Sequence, residues 1–146
     1  MRFHEHYVSD GKGGSEMVSR EPWPVTFDEF VAALAEKRYE AEVGGDVLDF
    51  SGVKMRFPTN REARVALVAE LQAAEVVGSS YRNVWVIGET AMEVTLEGLR
   101  QIVDAVNAHV RQCFNMQAEY LGLAKGGGIS LDELHERMQT NWPGSN

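Results

Sequence analysis

The chain has 146 residues, of which 44% are hydrophobic and 25% charged, and it carries a formal net charge of −8. That is enough chain for one core with terminal arms, and too apolar a composition for wholesale disorder. The acidic balance argues against nonspecific binding to nucleic acid or anionic lipid, the single cysteine excludes an internal disulfide framework, and there is neither an apolar leader core nor an apolar run long enough to span a bilayer. The expectation is a soluble protein made in a cytoplasm, with no nucleic-acid or membrane partner.

Residues 1–25 read as an N-terminal arm. Arg2 to Val8 has the aromatic content of a short strand, Ser9 to Ser15 is loop material, and Met17 to Ser19 suits a returning strand. Pro22-Trp23-Pro24 then restricts the backbone to extended conformations and presents one large aromatic ring. A helix follows over Thr26 to Val43, opened by a Thr26/Glu29 capping box and closed by Gly44-Gly45, with Phe27, Phe30, Val31 and Leu34 as its apolar face. Asp46 to Phe57 has the shape of a hairpin turning at Ser51-Gly52, and Pro58 stops its second strand. Thr59 and Glu62 repeat the capping box and open a helix to about Val76, whose face is Ala63, Ala66, Leu67, Leu71 and Ala74.

Tyr81 to Thr95 is a second hairpin turning at Gly88, with Val84, Val86 and Val94 as strand formers and Trp85 over the core. Thr95 then caps a long helix to Leu123. Leu96, Leu99, Val103, Val106, Val110 and Cys113 alternate spacings of three and four, the signature of a buried stripe, and Ile102 and Phe114 widen it. Beyond Phe114 the apolar spacing weakens, so the last two turns are expected to form a stalk for the glycine hinge, the C-terminal helix and a neighbouring subunit. Residues 125–146 form a glycine hinge and a short helix, opened by Ser130 and Glu133 and running over Leu131 to Trp142. Leu131, Leu134, Met138 and Trp142 share a face of that helix, which is too short to stand alone. The fold class is therefore α+β: helix, hairpin, helix, hairpin and long helix over 26–124, a small antiparallel sheet packed by helices, with terminal arms.

Few residues invite chemistry. His4 and His6 could place two imidazoles on one side of a strand, but no third ligand is near and two solvated histidines explain them. His109 and Cys113 stand at i and i+4 on the long helix, where they could be metal ligands or a base with its nucleophile; a buried structural thiol is the simpler account. Gly11 to Ser15 lacks the spacing of a phosphate loop, and the pairs Asp46/Asp49 and Glu89/Glu93 are explained by solvated hairpin charge. No residue is expected to be catalytic, to bind a cofactor or to hold a metal. Trp23 and Trp142, each beside a proline in a terminal segment, either pin a terminus or fill a partner's pocket, and with Leu131, Leu134 and Met138 they are the candidate partner-binding residues.

Three stretches together resemble a known family. Lys37-Arg38-Tyr39-Glu40-Ala41-Glu42-Val43-Gly44-Gly45 is similar to an opening KR-aromatic-x-x-E-x-G-G; Met55-Arg56-Phe57 and Thr59-Asn60-Arg61-Glu62-Ala63-Arg64 continue it, followed by Trp85 and Val94-Thr95-Leu96; and Ala105 to Phe114 is similar to a closing A-V-x-x-H-V-x-x-C-F. This pattern resembles a domain of unknown function common in small tailed-phage proteins, often encoded beside tail-fibre genes and described as tail-fibre or tail-assembly proteins. The resemblance implies a non-enzymatic virion component acting through protein contacts with tail, baseplate or tail-fibre proteins, made in the host cytoplasm and then carried in the virion tail, and a possible homo-oligomer. The alternatives are an assembly chaperone that leaves the particle and, from another class, a small metal- or thiol-dependent enzyme using His109 and Cys113. The family has no catalytic residues to carry over, so the resemblance makes His109 and Cys113 packing requirements.

Overall fold

A computed structural model of the chain describes residues 3–9, 15–50 and 52–145, with side chains from Trp23 onward. The glycine-rich loop before Ser15, the side chains of His4 and His6, and Ser51 lie outside the described residues. The N-terminal arm is a hairpin of β1 (Phe3–Ser9) and β2 (Ser15–Pro22), antiparallel from Phe3↔Pro22 to Ser9↔Ser15 with a register shift at His6/Tyr7. α1 (Phe27–Val43) begins where Thr26 accepts the amide of Glu29 at 3.2 Å. It buries Phe30 and Leu34 and leaves Phe27 exposed, so its inner stripe is narrower than the four apolar residues suggest.

β3 (Asp46–Phe50) and β4 (Val53–Phe57) form the first core hairpin. In β4 the alternation expected of a half-buried strand is plain: Met55 and Phe57 point inward, Lys54 and Arg56 outward, and Val53 at the turn end is exposed. α2 (Arg61–Val77) starts one residue later than the sequence suggests. Asn60, not Thr59, is its cap, its side-chain oxygen accepting the amide of Ala63 at 2.7 Å; the Thr59 hydroxyl is used elsewhere. After a 3₁₀ turn at Gly78–Ser80, β5 (Arg82–Ile87) and β6 (Thr90–Thr95) make the second hairpin, which turns Trp85, Ile87, Met92 and Val94 towards the core and Val84 and Val86 outward. The fold is α+β as expected, and its antiparallel component is a set of separate two-stranded ladders rather than one continuous sheet. Among the described residues, no helix is long and apolar enough to cross a membrane.

α3 (Leu96–Gly126) has 31 residues, a span of about 46 Å. Thr95 caps it, accepting the amide of Gly98 at 3.1 Å, and Gly127 ends it in the left-handed conformation. Its N-terminal half packs Leu99, Ile102, Val103 and Val106 against Met55, Phe57, Ala74, Tyr81 and Val94. Its C-terminal half lies on a second core, in which Phe30 and Leu34 of α1 meet Leu134, Met138 and Trp142, flanked by Met116, Tyr120, Leu121 and Ala124. The last turns of α3 thus carry the C-terminal helix, as expected, but within a core rather than as a projecting stalk. They are covered by α1 and by the C-terminal segment of their own chain.

α4 (Leu131–Arg137) is shorter than expected. Ser130 caps its start, accepting the amide of Glu133 at 3.2 Å, but the chain leaves helical geometry after Met138 and takes a positive φ at Asn141. That turn folds Trp142 back so that its indole N–H donates to the Met138 carbonyl at 2.6 Å. Tyr120 stacks against the same ring, with centroids 6.5 Å apart. Because Leu134 has no exposed surface, Leu134→Ala should lower unfolding stability by about 2–5 kcal/mol. Urea denaturation followed by circular dichroism measures this, and a loss within about 0.5 kcal/mol, the size of a surface substitution, would mean that α4 is not packed as described.

Candidate functional site

The C-terminal end of α1 is where the polar residues of the chain converge. The last carbonyls of a helix have no partner within it, and α1 has no basic residue in its last turn to meet them. The partners come from elsewhere in the chain. The Ala41 carbonyl accepts from His109 Nε2 at 2.8 Å, the Glu42 carbonyl from the Thr59 hydroxyl at 2.7 Å, and the Gly44 carbonyl from the Arg56 guanidinium at 2.8 Å. Thr59 Oγ1 in turn accepts the amide of Gly45 at 2.8 Å. Gly45 sits at φ +90°, and a Cβ there would lie 3.0 Å from the Phe57 carbonyl, so only glycine lets the chain turn this closely from α1 into β3.

Beside these contacts the Glu42 carboxylate is buried among three arginines. Arg38, one turn earlier on α1, donates to Oε1; Arg64 and Arg61, from the first turns of α2, approach Oε2 at 2.6 and 3.4 Å. Burial alone would raise the carboxyl pKa, but hydrogen bonds and charge from Arg64 and Arg38 outweigh it and hold the group below the ordinary carboxylate range. Arg38 also lies over the Phe114 ring, 4.5 Å from its centroid, and donates to Gln117 at 3.2 Å. The carboxylate therefore ties α1 to α2, and Arg38 carries the link on to α3.

His109 and Cys113 are buried behind this cluster. A carbonyl can only accept, so the nitrogen of His109 facing Ala41 carries the proton, and the other, Nδ1, faces Asp46 Oδ2 at 3.7 Å. The thiol of Cys113 lies 3.8 Å from Nε2, the protonated nitrogen, which has no lone pair to accept its proton. Burial, then the charges of Glu42 and Asp46, push the thiol pKa up to about 11. The pair is not arranged as nucleophile and base, and among the described residues no three His, Cys, Asp or Glu side chains are placed to hold a metal. Asp49, Glu89 and Glu93 are exposed hairpin residues, whereas Asp46 is drawn inward towards His109.

The stretch that carries all of these contacts, residues 28–125, matches the model of a domain of unknown function, DUF4376. The chain belongs to that family. The matched region is about two thirds of the chain and holds Arg38, Glu42, Thr59, Arg61, Arg64, His109 and Cys113 together. No curated protein and no solved structure matches the chain. Within the DUF4376 domain, the charged and polar residues of the pattern thus have a shared structural task, satisfying one helix terminus and one buried carboxylate.

The residues offered by the sequence as partner-binding fare differently. Leu134, Met138 and Trp142 are buried in the second core, and Leu131 is packed against it, because the turn at Asn141 and the groove between α1 and α3 draw that face inward. They hold their own chain together and are not a free docking face. Trp23 is half exposed at the edge of a cleft of about 720 Å³ that also takes in Pro24, Ala32, Glu36, Asp132 and His135. Sequence reasoning missed the outer face of α2. There Val65, Val68, Ala69 and Val76 are exposed, with Val65 at 70% and Val76 at 89%, although Leu67, Leu71 and Ala74 already supply the inner face. The run REARVALVAELQAAEVV carries apolar residues at more than one helical face, and that was the available signal.

Two measurements probe this site. Glu42 has a lowered folded pKa, so its stabilising contribution is present above the unfolded carboxylate value and is lost as pH falls through the folded one. Glu42→Gln should cost about 3–5 kcal/mol at neutral pH by leaving the arginines unpaired, and should flatten the acid limb of the urea midpoint against pH; an unchanged limb would remove Glu42 as its cause. Cys113 in the folded chain should resist a disulfide reagent at neutral pH and react rapidly in denaturant; rapid labelling of the native protein would contradict the buried, protonated thiol.

Proposed function

We propose that the chain is a non-enzymatic bacteriophage protein, a tail or tail-fibre-associated virion component that acts through contacts with other tail, baseplate or tail-fibre proteins. The observation that carries the protein-contact part is the contrast between two sets of residues. The polar residues shared with the family pattern are engaged internally around Glu42 and His109, while a helix of the same domain leaves an apolar outer face in solvent. An apolar face of this kind is the surface feature that association with another chain would cover. The phage part rests on the resemblance of Lys37 to Gly45, Thr59 to Arg64 and Ala105 to Phe114 to the tailed-phage pattern. On this reading the protein is made in the host cytoplasm and carried in the virion tail.

Mass spectrometry of purified particles tests the placement. The chain should be found in mature virions in a fixed ratio to tail subunits. Its absence from particles, with a gain in soluble trimeric fibre on co-expression, would instead give it the role of an assembly chaperone.

A further inference from the structure

We propose that the groove between α2 and α3 is a docking site for an acidic, apolar segment of a partner protein. This rests on the reading of the chain as a protein-contact domain and not on its place in a phage. The groove has a volume of about 650 Å³ and is lined by Arg61, Arg64, Val65, Val68, Ala69, Gln72 and Phe114, with Glu42 at its base. Two kinds of surface meet in it. One is apolar: Val65 and Val68 on α2 and Phe114 on α3 are all at least 45% exposed, and the α2 face continues to Val76. The other is cationic. Three guanidinium groups surround one carboxylate, so positive charge is left over, and Glu42, the acidic residue of the lining, is already paired with them.

The excess charge decides the occupant. The chain as a whole is at −8, so a second copy is repelled by most of this surface, whereas a short acidic segment of a partner can meet the groove alone. Arg61 reaches Glu42 only through its Nε at 3.4 Å and is 68% exposed, which leaves the far edge of its guanidinium to receive a second carboxylate. Arg64 is more deeply placed; its Nε is buried and has no hydrogen-bond partner among the described residues. The aliphatic wall beside the arginines favours a ligand that brings leucine-like or aromatic side chains with its carboxylate, in the manner of an amphipathic segment laid along a helix face. Phe114 offers such a segment one flat ring, held in place by Arg38 beneath it.

The test is to pan a random peptide library against the immobilised full-length chain and to measure the recovered peptides by fluorescence anisotropy. They should be rich in Asp and Glu together with Leu, Phe or Trp. Their affinity should fall about tenfold or more in Arg61→Ala and in Val65→Asp, and should weaken with added salt. Val65 is 70% exposed, so its variants should keep the wild-type melting temperature, whereas Arg61→Ala also removes one contact to Glu42 and its melting temperature is measured beside its affinity. Because an aspartate at position 65 stands one turn from Arg61, Val65→Ser, which removes apolar surface without adding charge, is the second variant there and should also weaken binding. Basic or neutral ligands, failure to recover any ligand, or acidic ligands indifferent to these variants would overturn the proposal. So would a wild-type dimer, seen by light scattering after size exclusion, that Val65→Asp converts to a monomer, because the face would then belong to a second copy. A chain missing from virions would remove the tail placement and leave this site standing.

Discussion

The arrangement depends on one buried charge. Removing a carboxylate from water costs several kcal/mol even after relaxation, and Glu42 is almost wholly buried. It is tolerated because Arg38, Arg61 and Arg64 all reach it, and those arginines come from two helices, α1 and α2. Moving α2 away from the end of α1 would strand the carboxylate and expose Thr59 and Gly45 to the loss of their bonds at once. Geometry is enforced here by the penalty for leaving polar groups unpaired, which is sharper than the preference of apolar surfaces for one another.

Around that clasp, α3 serves two cores. Its first half completes a core with the two hairpins and α2; its second half completes another with α1 and α4. His109 and Cys113 stand at the crossing, one turn apart, where the helix passes from one core to the other. The C-terminal tail is fitted to the same crossing: Gly144, at φ +79°, lies so close to the Gly45 carbonyl and the His109 ring that a Cβ could not be placed there, and its carbonyl accepts from Arg56 at 3.2 Å. Tail, hairpin and helix end therefore meet at His109, and the segment beyond the matched family region is built into the body of the protein.

With the inner surfaces engaged in this way, exposed apolar residues remain on β5, at Val84 and Val86, and on the outer face of α2, where an arginine edge adjoins them. A helix with apolar residues on opposite sides is an incomplete packing unit. On the docking proposal, the arginines beside it add a preference of sign to that of hydrophobicity.

Element order, hairpin positions and caps were legible from local patterns: threes and fours in α3, alternation in β4, Thr26, Thr95 and Ser130 before their helices, glycines after them. These depend on neighbours within a turn or two, which a sequence displays directly. The errors share a cause. Thr59 looked like a cap because a hydroxyl three residues before a glutamate usually is one, yet its partners are a carbonyl and an amide 17 and 14 residues away. Leu134, Met138 and Trp142 had to dock somewhere because their helix is too short to stand alone, but the surface that receives them, on Phe30 and Leu34, lies about a hundred residues earlier and left a partner as a candidate beside it. His109 meets Ala41 across 68 positions. The sequence by itself determined which segments are helix and hairpin and which residues are apolar. Tertiary structure alone decided which polar groups pair, and hence which apolar faces are covered and which stay in solvent, because burial and pairing are properties of chain segments far apart in sequence brought to the same place.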